Sequence, residues 1–216
     1  MSSNTSKWKM RLFTVGFMFV VTFVCISVVA GVHLRSRERV LRNETLYEKR
    51  GIMAAAGLDV PADGAAVLAW YGSCVTPVPD GENPACYEVR ESAQGAHGAM
   101  VFMREGAGLW GTIRAVIGLD PSLSRFTGIA FVAQNETPGL GARIMEAWYR
   151  DHIKGKSGGL TLVGEKSGST NGAELDAITG ATITSTAVRD ILNRLIEEAP
   201  ALVESAWTES DATGIR

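Results

Sequence analysis

The chain has 216 residues, of which 46% are hydrophobic, and a formal net charge of -2. A balance this close to neutral gives no reason to expect nucleic-acid binding, which depends on a strongly positive surface. The three cysteines, Cys25, Cys74 and Cys86, form neither a CxxC pair nor a zinc-ligand spacing. No Ser/His/Asp grouping stands out either, so we predict neither a metal site nor catalytic side chains.

An apolar stretch near the amino terminus predicts a membrane anchor. A polar arm, residues 1–11, precedes residues 12–32, which carry no charge over 21 positions and can cross about 30 Å of hydrocarbon as a helix. Arginines follow instead of a small-residue cleavage site, which favours a retained transmembrane helix over a signal peptide. Residues 33–58 are charged and helix-favouring and are interpreted as a stalk, with one domain at 59–216.

Periodicity predicts an α+β domain. Residues 109–119 alternate between apolar and polar side chains, and residues 126–133 are apolar throughout, as in two strands of a hairpin. A hairpin implies antiparallel sheet, with helices flanking it. The other predicted elements are a strand at 65–70, an exposed loop at 71–95, strands at 99–105 and 160–163, and a helix at 142–153.

Two local patterns have competing interpretations. Cys74 and Cys86 flank a Pro- and Gly-containing loop and either form a disulfide in an oxidising compartment or remain free. Residues 106–111 match GxGxxG, but an alternating strand follows where a dinucleotide fingerprint requires a helix. We therefore interpret these glycines as a turn or bulge rather than a Rossmann site.

The most informative stretch is residues 176–185, Asp-Ala-Ile-Thr-Gly-Ala-Thr-Ile-Thr-Ser, which precedes an amphipathic helical pattern. Helical spacing of apolar residues predicts that the helix begins near Thr182; these residues are Val188, Ile191, Leu192, Leu195 and Ile196. The unpaired amides at its start favour a phosphate beside Thr182, although Thr and Ser are also ordinary helix caps. Gly180 and Ala181 leave room for a bulky group.

The full pattern D-x-x-[ST]-G-A-T-x-[ST]-[ST] is expected by chance in roughly one of 10^5 chains of this length. It resembles the flavin-attachment motif of the FMN-binding subunits of two related membrane complexes. These are the G subunit of the Rnf ferredoxin:NAD oxidoreductase and the C subunit of the sodium-translocating NADH:quinone reductase (Nqr). The resemblance implies that FMN is joined through its phosphate to the hydroxyl of Thr182, by a separate flavin transferase that uses FAD as donor.

A second stretch that resembles the same family lies 46 residues before Thr182: Glu136-Thr137-Pro138-Gly139-Leu140-Gly141. By resemblance, Glu136, Thr137 and Leu140 lie against the isoalloxazine ring, and Trp110 comes near the flavin. Thr179, Thr184 and Ser185 either donate hydrogen bonds to the phosphate or cap the helix. Asp176 either orients the Thr182 hydroxyl, assists a transferase-bound metal, or caps a turn.

The resemblance implies an electron-carrying subunit that works with other membrane subunits of an Rnf- or Nqr-type complex. Its expected location is the bacterial or archaeal inner membrane, with a single pass and the flavin domain on the extracytoplasmic side. The count of Lys and Arg around the apolar stretch favours the opposite orientation. An alternative function is a membrane-tethered covalent-flavin module for electron transfer or sensing outside an ion pump.

Overall fold

The computed structural model describes residues 3–80, 83–90 and 97–213. The chain divides into two compact units, Met1–Thr45 and Leu46–Arg216. Helix α1, Ser3–Ala55, accounts for the first unit and continues into the second. Its apolar side chains between Trp8 and Leu34 are exposed, and the helix is long and apolar enough to cross a membrane. An N-terminal helix of this kind fits membrane anchoring.

The second unit is built on a five-stranded antiparallel sheet whose strands follow one another in chain order. The predicted hairpin of residues 109–119 and 126–133 is confirmed, and the predicted strand at 99–105 pairs antiparallel with the first of these two strands. The strands are β1 Val75–Asp80, β2 Asn83–Arg90, β3 His97–Ala107, β4 Thr112–Leu119 and β5 Phe126–Ala133.

Both faces of the sheet are covered, so the unit has two hydrophobic clusters. On one face Ile113, Ile117 and Phe131 pack with the helices of the C-terminal half. On the other face Val116 packs with Ile52 near the end of α1. The helices and the predicted antiparallel sheet confirm the α+β class. The remaining elements are α2 Gly64–Cys74, a 3-10 turn Gly141–Met145, α3 Ala147–Ile153, and α4 Thr182–Thr213.

The end of α1 lies directly on the sheet. Thr127 Oγ1 donates a hydrogen bond to the carbonyl of Ala55 at 2.7 Å. A Cβ on Gly118 would stand 2.1 Å from the same carbonyl oxygen, so only glycine fits at that strand position. Residues 46–55, which the sequence interpretation gave to the stalk, therefore contribute to the packed unit.

Two predicted elements were wrong. Residues 65–70 belong to helix α2 rather than a strand, because Asp63 caps its first turn by accepting a hydrogen bond from the Ala66 amide at 2.8 Å. The described part of the stretch 71–95 is not a loop: residues 71–74 end helix α2, and residues 75–80 pair with residues 83–90 as antiparallel strands, while residues 81–82 and 91–95 lie outside the described residues. Pro77 and Pro79 are tolerated because β1 is an edge strand of the sheet.

A small parallel pair was only half predicted. Strand β6, Thr161–Val163, matches the expected strand at 160–163, but its partner β7, Glu174–Asp176, was not anticipated. Three residues are too few for alternation to show. This pair places Asp176 a few residues before the start of α4.

The two cysteines that could have formed a disulfide are both buried and free. Cys74 packs in the cluster that contains Val116, and Cys86 packs in the cluster on the opposite face of the sheet. A bridge would have to cross the sheet, so the disulfide alternative is wrong.

Candidate functional site

The two sequence motifs meet at a cleft of about 300 Å³. The loop that follows β5 forms one wall, and the start of α4 forms the other. The turn between β3 and β4 closes one side. The lining residues are Leu109, Glu136, Thr137, Leu140, Gly141, Gly180, Ala181, Thr182, Ile183 and Thr184.

The side chain of Glu136 connects the segments that form the cleft. Its side chain is buried, and Oε2 accepts a hydrogen bond from the Thr184 hydroxyl at 2.5 Å. Its Oε1 accepts from the backbone amide of Trp110 at 3.1 Å. One carboxylate thus ties together the loop after β5, the start of α4 and the β3–β4 turn.

Two glycines make this arrangement possible. A Cβ on Gly108 would lie 2.5 Å from Glu136 Oε1, and a Cβ on Gly141 would lie 2.6 Å from Thr184 Oγ1. Neither position has a positive φ, so close approach rather than backbone conformation requires glycine. The GxGxxG stretch is a turn, closed by the Gly108 amide on the Gly111 carbonyl at 2.8 Å.

The start of α4 lacks a side-chain cap among the described residues. The carbonyl of Ala181 accepts the first helical hydrogen bond, from the Ser185 amide at 3.0 Å. The amides of Thr182, Ile183 and Thr184 have no acceptor within the described part of the chain. Gly180, with φ +77°, turns the backbone into the helix. An exposed hydroxyl, that of Thr182, therefore stands beside a helix end that favours an anion.

Residues 108–197 match the FMN-binding domain family, and this range contains every residue that lines the cleft. This stretch therefore resembles an FMN-binding domain. Over 92 residues the chain is 39% identical to the G subunit of the Na+-translocating ferredoxin:NAD+ oxidoreductase complex of Acetobacterium woodii, a match that covers 42% of this chain and 44% of that relative. The chain spans about half or less of the length of the relatives with which it shares at least 33% identity, from 28% to 52%.

A longer match is less identical. The G subunit of an ion-translocating oxidoreductase complex of Methanosarcina acetivorans is 28% identical over 197 residues, covering 84% of this chain and 93% of that relative. The C subunit of the Na+-translocating NADH-quinone reductase of Parabacteroides distasonis superposes with a TM-score of 0.60 at 23% identity, over 78% of this chain and 96% of that one. That superposition supports the α+β fold described above. The relatives carry the two names that the motifs suggested, which confirms the resemblance.

Three of the residues named from the sequence, Asp176, Thr179 and Ser185, are not part of the lining of the cleft. Ser185 is fully buried: its Oγ accepts from the Ile178 amide at 2.9 Å and donates to the Ala181 carbonyl at 3.0 Å. The Thr179 amide donates to Glu165 Oε2 at 2.8 Å. Asp176 accepts from the Ser167 hydroxyl at 2.7 Å instead of approaching Thr182.

An ion pair supports the loop that precedes α4. Arg143 binds Glu165 through two hydrogen bonds, the shorter of them 2.7 Å, and Glu165 accepts from Thr179 on the same side. These hydrogen bonds, those from Arg143 first, lower the pKa of Glu165 from 4.5 to about 2. The Thr-Gly-Ala-Thr loop is therefore fixed by a carboxylate that stays ionised at neutral pH.

A second set of contacts near the loop that precedes α4 joins Asp176 to His152. The Asp176 amide donates to His152 Nε2 at 3.2 Å, and the same nitrogen lies 3.5 Å from Asp176 Oδ1. Burial, followed by the nearby Lys156 charge, lowers the pKa of His152. Among the described residues no group of three metal-ligating side chains occurs, so this support is a hydrogen-bonded one.

Several of the side chains that line the cleft are apolar and exposed. Trp110 is not among the lining residues: its side chain is 68% exposed, and only its backbone amide is bound, to Glu136. Leu109 and Ile183 line the cleft and were missed by the sequence reasoning. Ile183 had a recognisable signal, because it falls outside the buried helical stripe that begins at Val188. Large apolar groups exposed together suit the face of a flat ligand.

Proposed function

We propose that the chain is the electron-carrying subunit of a membrane ion-translocating oxidoreductase complex of the Rnf or Nqr type. It carries FMN joined by a phosphoester to Thr182. The observation that supports this most directly is the position of the Thr182 hydroxyl. It is exposed in the lining of the cleft, at the uncapped start of α4, within the FMN-binding domain.

The chemistry of attachment fits this position. The oxygen of the Thr182 hydroxyl forms a bond to the phosphorus on the riboflavin side of FAD, and the bond to AMP breaks, with the hydroxyl proton lost. The product is a phosphodiester with one negative charge. The free amides of Thr182, Ile183 and Thr184 and the helix dipole stabilise that charge.

The cleft fits a flavin ring in shape and chemistry. Its volume lies at the small end of the range for ligand sites, and its open side exposes further apolar surface. Leu109, Leu140 and Ile183 offer apolar contact to a flat ring, while Thr137 offers a polar contact at the rim. Gly139 adopts φ +77°, which lets the loop after β5 turn back toward the cleft.

FMN supplies one- and two-electron chemistry that no side chain provides, so the chain needs only to hold, orient and partly shield it. A covalent bond removes dissociation, which suits a carrier domain outside the cytosolic flavin pool. We place the domain on the extracytoplasmic side of the inner membrane, anchored in the lipid bilayer by α1. Its partners are a flavin transferase during maturation and the other membrane subunits of the complex during electron transfer.

The attachment is tested by expressing the chain with and without a flavin transferase and viewing denaturing gels under ultraviolet light. We expect a fluorescent band only with the transferase, and its loss in Thr182→Val. Thr179→Val is the matched control, since it removes a neighbouring hydroxyl outside the cleft and should retain the band. A fluorescent Thr182→Val band would refute the proposed bond.

The role in a complex is tested separately by purifying the tagged chain from its native membranes. Co-purification of multi-span membrane proteins together with ferredoxin- or NADH-dependent electron transfer supports the proposed role. A fluorescent chain that purifies alone supports the alternative of a tethered flavin module outside an ion pump.

A further inference from the structure

A second cavity, of about 270 Å³, lies in the same unit and shares no lining residue with the FMN cleft. It is bounded by the end of α1, the residues just before α2, β5 and α3. Its walls are mainly apolar, with Ala54, Pro61 and Ala130 among them. Arg50 comes from α1 and Arg150 from α3, so two arginines from different helices line one small cavity.

Neither of these two arginines forms a salt bridge with another described residue. Arg50 donates one hydrogen bond through Nη2 to the Ala62 carbonyl, and its Nε is buried with no acceptor. The Nε of Arg150 is likewise buried with no acceptor. Asp151, which follows Arg150 in sequence, is hydrogen-bonded to Lys154 at 2.9 Å, and the Lys154 pair, more than the Arg150 charge, lowers the pKa of Asp151.

Buried donors of this kind are normally satisfied, because water no longer compensates them. Guanidinium groups match carboxylate and phosphate oxygens geometrically. Two positive charges facing a common, largely apolar space also repel each other unless an anion lies between them. The cavity thus offers guanidinium groups to an acidic group and an apolar wall to an apolar body.

We propose that this cavity binds an amphiphilic organic anion. Its carboxylate or phosphate group lies between Arg50 and Arg150, and its apolar body lies against the wall formed by Ala54, Pro61 and Ala130. Tyr47, whose hydroxyl donates to the Phe131 carbonyl at 3.2 Å, borders the cavity. The proposal does not depend on FMN or on the identity of the complex.

The test follows the Nε–H resonances of Arg50 and Arg150 by nuclear magnetic resonance, using the full chain in phosphatidylcholine nanodiscs. Hexanoate is the probe, and chloride at equal ionic strength is the control. Both resonances should shift saturably with hexanoate and not with chloride. In Arg150→Gln the affinity read at Arg50 should fall by about tenfold or more, because one charged donor is lost.

Arg189→Gln is the matched control. Arg189 is already paired with Asp190 at 2.7 Å on the exposed side of α4, so its removal should leave hexanoate binding unchanged. Nanodiscs containing phosphatidylglycerol distinguish the source: a shift without added hexanoate identifies an acidic lipid, and its absence identifies a soluble anion. Failure of hexanoate to shift either resonance, equal shifts with chloride, or equal affinity for inorganic phosphate would overturn the proposal.

Discussion

The hydroxyl of Thr184 donates to Oε2 of Glu136 at 2.5 Å, across 48 residues of chain. Thr184 is 1% exposed and Glu136 is 5% exposed, so water does not compete for this hydrogen bond. It connects the loop after β5 to the start of α4. Each wall of the cleft therefore depends on the other for its position.

Removing this carboxylate should loosen both walls. Glu136→Ala leaves the Thr184 hydroxyl and the Trp110 amide without their acceptor, which should lower the free energy of unfolding by about 1–3 kcal/mol. Glu136→Gln should cost much less, because its amide oxygen can accept from Trp110 while its NH2 group donates to Thr184. Thermal unfolding of the purified chain in detergent measures the difference. Glu105→Gln is the control, since Glu105 forms only an exposed ion pair with Arg114.

Substitution by alanine should lower the stability of the protein at Gly141 and raise it at Gly72. A Cβ at Gly141 would stand 2.6 Å from Thr184 Oγ1 and 2.7 Å from Glu136 Oε2, so Gly141→Ala should destabilise the domain and reduce flavin attachment. At Gly72, within α2, a Cβ meets nothing within 4 Å, and alanine should stabilise the helix by up to about 1 kcal/mol. Unfolding midpoints of the two variants check the signs; a tolerated Gly141→Ala would show that the cleft is less closely packed than described.

The Glu165 ion pair should make the cleft sensitive to acid. Because folding lowers the pKa of Glu165 from 4.5 to about 2, its stabilising contribution is complete above about pH 5. The contribution is lost as the pH falls toward 2. The difference in melting temperature between wild type and Glu165→Gln should be constant near neutral pH and shrink to nothing near pH 2. Asp151→Asn, which removes an exposed pair with Lys154, should show almost no difference at any pH.

Cys74 and Cys86 should remain reduced and unreactive in the native protein. Burial raises the pKa of the Cys86 thiol from 9.0 to about 11, which keeps it protonated at neutral pH. Iodoacetamide should label neither thiol in the folded chain and both after denaturation, as counted by mass spectrometry. A protein mass two units below that of the reduced chain, restored by adding reductant, would indicate a disulfide. That result would contradict the separation of the two thiols by the sheet.

Long, regular elements were the predictable part of the fold. Residues 126–133 were assigned as a strand with the bounds that β5 has, because their apolar run ends in clear turn residues. The hairpin at 75–90 was missed because its prolines suggest a loop, and only the position of β1 at the sheet edge permits them. Helix α2 was missed because its apolar residues show no single helical face.

The sequence predicted the two motifs that form the candidate site but not the contacts between them. The two motifs identified both walls of the cleft. The hydrogen bond between Glu136 and Thr184 could not be inferred, because it depends on how the sheet places two distant segments. Nor could spacing show that Ser185 faces inward and Thr182 outward, since both lie in one turn of α4. The turn containing Leu109 gave no signal beyond its glycines.

The most direct test of this account is the mass of one tryptic peptide. Cleavage after Lys166 and Arg189 releases Ser167–Arg189, which contains Thr182 and the other hydroxyls of the motif. From cells that contain a flavin transferase, this peptide should carry the mass of FMN less one water, and fragment ions should place it on Thr182. An unmodified peptide, or a modification on Thr179 or Thr184, would contradict the account.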